Sequence, residues 1–161
     1  TETSPGAVAC DMDWMTAEVA RLKAAGYLVI ATFQHIEYDA YDPDVILKED
    51  MQRVASAGAV IVSGSQAHQP HGMTFSAGAF IHHGLGNLFF DQSRSYPGGE
   101  LDYGFIDWHI FYAGKHISTQ LITISWVDLA KNRLTTPAER EKFLTTMFNA
   151  SQWGAEESVQ P

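Results

Sequence analysis

The segment Gly64-Ser65-Gln66-Ala67-His68-Gln69-Pro70 offers an amide and an imidazole two residues apart, directly after the apolar run 59–63. Side chains of an extended chain alternate with period two, so Gln66 and His68 face the same way. His35 and Glu37 repeat that spacing just past a second apolar run, 27–33. If the two runs are adjacent parallel strands, four polar groups meet at one carboxyl edge, where open α/β sheets bind ligands. Imidazole and carboxylate suit Zn²⁺, Mn²⁺ or Fe, and a Gln oxygen is a weaker, neutral ligand. Glu37 beside a metal or an imidazole could act as general base or acid. Each residue alone also has a plain structural reading: Glu37 as a solvated loop residue, His35 packed on Tyr38. The grouping of four is what favours chemistry.

A second loop, His83-Gly84-Leu85-Gly86-Asn87, follows the apolar run 79–83. Gly64, Gly84 and Gly86 permit backbone positions that other residues resist, and their amides could cradle an anion or simply make turns. Asn87 reads as a ligand-contacting residue or as a turn residue bonding its own backbone. His71, His82, His83, His109 and His116 read as structural or surface groups. Asp91 reads as a support for the site or as a turn cap. Gly-x-Ser-x-Gly and a phosphate-binding Gly-Lys-Ser/Thr loop are both absent, and Cys10 has no neighbouring His to make it a nucleophile. Acyl-transfer and nucleotide-hydrolysing classes are disfavoured.

The elements that must position these groups follow from punctuation and periodicity. Asp11 or Asp13 caps a helix through Ala25, with Gly26 beyond its end. The run 27–33 reads as a buried strand. Asp42 and Pro43 read as the cap and first turn of the next helix, which stops at Gly58. With the strand at 59–63 this is helix, strand, helix, strand, hence a parallel pair joined by a crossover. Gly72–Ser76 and Ala79–His83 flank Ala77-Gly78 as a hairpin. Tyr103–Tyr112 and His116–Asp128 form a longer hairpin around 113–115. Thr136 to Glu139 is a capping box that opens a helix through about Asn149. Residues 1–151 read as one domain and 152–161 as a frayed polar tail.

The chain has 161 residues, a net charge of −9 and one cysteine. The length suffices for one domain with a real core. The acidic balance, with no basic cluster, argues against nucleic-acid binding. No stretch nears ~20 consecutive apolar residues, so no membrane span is expected. No secretory leader pattern opens the chain.

The segments Ile30 to Tyr38, Ala57 to Pro70 and Phe80 to Gln92 resemble the CapA family, proteins of poly-γ-glutamate capsule synthesis. Ala57-Gly58-Ala59 and Gly64 to His68 fit the middle of the family pattern. Gly84-Leu85-Gly86-Asn87-Leu88-Phe89-Phe90-Asp91 fits its last element. Glu37-Tyr38 matches a Glu-Tyr pair. A family His falls on Phe33, and a His pair falls on Gln66 and His68. The resemblance extends to the calcineurin-like metallophosphoesterases, whose fold is two sheets between helices around a two-metal site. It implies that this chain is the carboxyl-terminal half of such a fold, extracytoplasmic, with an amino-terminal half or a second copy as partner.

In that scheme His68 is a metal ligand, Gln66 and His35 are candidate ligands for Mn, Fe or Zn, and Glu37 is an acid, base or orienting group. Asn87, Gly64 and Gly86 would contact the anionic polymer or small-molecule substrate. Metal-activated water would be the nucleophile of a hydrolase. The alternative is a non-catalytic polymer-binding module with a degenerate metal site, which Phe33 and Gln66 favour.

Overall fold

The computed structural model describes residues 10–36, 39–89, 103–128 and 131–153. Helix α1, Met12–Ala24, starts where Asp11 accepts hydrogen bonds from the amides of Asp13 and Trp14, and Gly26 follows its end at φ +89°. Strand β1 covers only Ile30–Phe33. The expected buried run of seven residues is corrected here: β1 is an edge strand, Ile30 is half exposed, only Val29 and Phe33 are buried, and Ala31 packs against the core partly exposed. Helix α2 is Val45–Ala57, and its cap is Asp44, not Asp42. The Asp44 carboxylate takes the Ile46 amide at 2.8 Å, whereas Asp42 pairs with Lys48 at 2.7 Å. Pro43 therefore precedes the cap.

Strand β2, Ile61–Gly64, pairs in parallel with β1 from Ile30↔Ile61 to Phe33↔Gly64. Strands β3, His71–Ser76, and β4, Ala79–Gly84, form the expected hairpin. Ala77 at φ +50° and Gly78 at φ +79° make the tight turn whose twist suits a hairpin. β4 inserts parallel to β2, which completes a mixed sheet in the order β1-β2-β4-β3. The carboxyl ends of β1, β2 and β4 consequently share one edge.

The second sheet is antiparallel: β5, Tyr103–Tyr112; β6, Lys115–Asp128; and β7, Lys131–Leu134. β7 was not expected. Its sequence, Lys-Asn-Arg-Leu, carries no apolar alternation, and it becomes a strand by pairing with β6. Helix α3, Pro137–Ala150, opens on the capping box of Thr136 and Glu139, and Arg133 of β7 grips the Glu139 carboxylate with two bonds of 2.7 Å. That guanidinium, helped by the Thr136 amide, holds the Glu139 carboxyl down at about 2.

Two cores result, one on each face of the first sheet. Helices α1 and α2 cover one face with Val19, Leu47, Met51 and Val54 against Val62 and Ile81. The second sheet and α3 cover the other with Phe105, Phe143 and Met147 against Met73 and Phe80. Each fully buried side chain of this kind contributes roughly 1.5–3 kcal/mol. The chain is thus a mixed α/β protein of two sheets and helices, as expected. The long hairpin is apolar on part of both faces. Phe105 is buried on the inner face, whereas Ile106, Trp108 and Ile110 are 43%, 60% and 45% exposed on the outer one. Among the described residues no helix is long and apolar enough to cross a membrane.

Candidate functional site

Two loops meet at the shared carboxyl edge: residues 65–70 after β2 and residues 85–88 after β4. Their contact is closer than most residues allow. The Leu85 amide donates to the Gly64 carbonyl at 3.2 Å, and a Cβ on Gly64 would run into the His83 carbonyl oxygen. Gly86 sits at φ +75°, where a Cβ would come within 2.7 Å of Pro70 Cγ and 2.9 Å of the Tyr103 carbonyl oxygen. Both positions need glycine, one for space and one for space and backbone angle. The seam brings His68 and Asn87 together, with Nδ1 2.6 Å from Oδ1. Asn87 is 6% exposed, and its Nδ2 has no hydrogen-bond partner among the described residues.

The other sequence candidates lie near this seam with partners of their own. Gln66 Oε1 accepts from Gln34 Nε2 at 2.7 Å. His35 turns toward α2, with Nε2 3.4 Å from Asp50 Oδ2. His35, Gly64 and Gln66 line a cavity of about 10 Å³ with His71 and His83, room for about one water. Phe33 is a core residue at 4% exposure. Glu37, Tyr38 and Asp91 lie outside the described residues.

The histidines read as structural or surface groups divide sharply. His71, His82 and His83 are fully buried, so the surface option is corrected for them. His71 Nδ1 donates to the Ala40 carbonyl at 2.6 Å, which ties the loop after β1 to β3. His83 Nε2 meets Thr74 Oγ1 at 3.1 Å. Burial pushes the His83 imidazole down to about 3, helped by His82, Lys48 and His71 and opposed by Asp42. His82 Nδ1 lies 2.7 Å from Asp107 Oδ2 of β5, a buried link between the two sheets. Every residue of β4 is buried. A strand covered on both faces loses the alternation by which sequence separates inside from outside.

His109 stays half-buried, sharing Thr119 with His116. Its imidazole is pushed down by burial, with His116 and His82 adding to this and Asp107 opposing it.

Sequence reasoning also missed what the second sheet does here. The Phe105 amide donates to the Leu85 carbonyl at 2.8 Å. Trp126 Nε1 donates to the Asn87 carbonyl at 3.1 Å, and Asn132 Nδ2 donates to the Leu88 carbonyl. Gly104 pairs with Gly86 as an isolated bridge, and a Cβ on Gly104 would come within 2.6 Å of the Asn87 carbonyl oxygen. A glycine inside a strand was the available signal, since it marks close approach of another backbone.

The donor set bears on the metal that the metallophosphoesterase resemblance implies. His68 suits a ligand, because a ligating histidine characteristically donates its other ring N–H to an oxygen. Gln66 and His35 do not join it: one bonds Gln34, the other faces Asp50. Among the described residues no three His, Cys, Asp or Glu side chains gather to hold a metal ion. The described residues do not by themselves make a metal centre.

A mixed sheet with helices on one face, a second sheet on the other and a polar pair where strand ends meet defines an α/β protein with a candidate site at the carboxyl edge. The family model for the bacterial capsule synthesis protein PGA_cap matches residues 1–92, more than half of the chain. The chain belongs to that family, which associates it with the cell surface and its capsule. The matched span holds the first sheet, α1, α2 and both site loops, and it ends before β5. No curated protein matches the chain.

Proposed function

We propose that this chain handles the anionic polymer of a capsule, of poly-γ-glutamate type, by binding a carboxylate at the His68–Asn87 seam. The observation that carries the reading is Asn87 Nδ2, a buried donor with no partner among the described residues, beside an imidazole at a strand-end edge. A buried donor left unpaired costs about 1–3 kcal/mol, and a carboxylate oxygen is the acceptor that would recover it. This is the polymer-binding module rather than the hydrolase, and the engagement of Gln66 and His35 by other side chains supports that choice.

Titration of the ¹⁵N-labelled chain with a γ-linked glutamyl oligomer tests it. Saturable shifts confined to residues 65–70 and 85–88 are expected. Asn87→Ala should weaken binding by about 10- to 150-fold, the worth of a hydrogen bond to a charged group. The chain's net charge is −9, so binding of a polyanion should strengthen as salt rises and screens the repulsion. Shifts spread over the whole surface, or none at millimolar oligomer, would refute the reading.

A second reading, a metal-dependent phosphoesterase-like hydrolase, draws on the orientation of His68 by Asn87. It requires near-stoichiometric Mn, Fe or Zn in the purified protein, lost in His68→Ala.

A further inference from the structure

The seam is built across two sheets, and the second sheet does more than cover a core. We infer that Trp126 is a positioning residue: by holding the Asn87 carbonyl it fixes Asn87, and Asn87 fixes His68 as the tautomer protonated at Nδ1. The inference rests on the site assigned above.

An amide oxygen can only accept a hydrogen bond. At 2.6 Å from Asn87 Oδ1, His68 Nδ1 is therefore the donor, and the lone pair of the neutral ring sits on Nε2. The hydrogen bond at one ring nitrogen sets the tautomer, and so decides which nitrogen meets a ligand as donor or acceptor. The His68–Asn87 bond is only as reliable as the backbone beneath Asn87.

That backbone has no regular ladder of its own. It is pinned by Trp126 Nε1 on the Asn87 carbonyl and by the Phe105 amide on the Leu85 carbonyl. Gly104 admits the approach, leaving no space for a Cβ beside the same carbonyl oxygen. Trp126 is the one of these contacts that a conservative substitution removes cleanly. Phenylalanine keeps most of the ring and loses the N–H. Trp126 and Gly104 both lie beyond the matched span of residues 1–92, so the device belongs to this chain's second sheet.

Long-range ¹H–¹⁵N correlation of the His68 ring, recorded without ligand, tests this. The wild-type chain should show a protonated Nδ1 and a pyridine-like Nε2. Trp126→Phe should move the ring toward a mixture of tautomers while amide shifts of α1 and α2 stay in place. By loosening Asn87, whose Nδ2 is the donor assigned to the carboxylate, it should also weaken glutamyl-oligomer binding by about 3- to 10-fold, the worth of an ordinary hydrogen bond. A wild-type ring protonated at Nε2, or an unchanged tautomer in Trp126→Phe, would overturn the inference. Should Trp126→Phe fail to fold, indole hydrogen exchange in the wild type decides instead. Trp126 must exchange well below the exposed Trp14 and Trp108, and equal rates overturn it. Because the tautomer is read without ligand, failure of oligomer binding alone would count against the proposed function and not against this device.

Discussion

Replacing Asp107 with alanine probes the join between the sheets. The His82 side chain is fully buried and that of Asp107 is 5% exposed, and they meet at 2.7 Å. His82 is in T-shaped contact with Phe105 at 4.9 Å and with Phe80 at 6.1 Å, and neither ring carries an oxygen or nitrogen to replace the carboxylate. Without the carboxylate, His82 Nδ1 is left unpaired in an apolar setting. A buried neutral donor in that state costs about 1–3 kcal/mol. A broken buried ion pair costs about 3–5 kcal/mol. The two ranges meet near 3 kcal/mol, which for a domain of this size lowers Tm by about 6–12 °C. Urea unfolding at pH 7.5 followed by circular dichroism measures it. The double variant His82→Phe/Asp107→Leu should recover most of the loss, because removing both polar partners leaves neither stranded. A loss below about 1 kcal/mol in Asp107→Ala, or a double variant as unstable as the single one, would refute the reasoning.

Two further outcomes are expected. His83 is held near 3 in the folded chain against about 6.5 unfolded, so below pH 6.5 the unfolded chain takes up the proton first. Stability should therefore be level above about pH 7 and fall toward pH 3, with a slope from this group approaching about 1.4 kcal/mol per pH unit. His83→Gln should flatten that stretch of the urea-midpoint-against-pH curve, and an unchanged curve would sink the assignment. The outer face of β5 joins Ile106, Trp108 and Ile110 without a charge. The purified chain should self-associate through that face. Trp108→Lys should reduce association in light scattering while moving stability by no more than about 0.5 kcal/mol. A wild-type chain monodisperse as a monomer at every concentration would remove that expectation.

Local chemistry made much of this protein legible in its sequence. Asp11, Gly58, the Ala77-Gly78 turn and the Thr136–Glu139 box act on backbone within a few residues, so each could be read where it stands. Two apolar runs separated by a helix were enough for the parallel pair β1 and β2. The loop residues Gln66, His68 and Asn87 could be placed near one edge for the same reason.

Long-range contact decided the rest. Whether a strand is an edge or an interior depends on what packs beside it, which is why β1 came out half exposed and β4 wholly buried. β7 exists through β6 and not through its own residues. Most of all, the partner of His68 comes from 19 residues away and the clamp on that partner from 39 residues further. No periodicity or motif encodes such a meeting. It follows from three backbones approaching closely enough that only glycine fits at Gly64, Gly86 and Gly104.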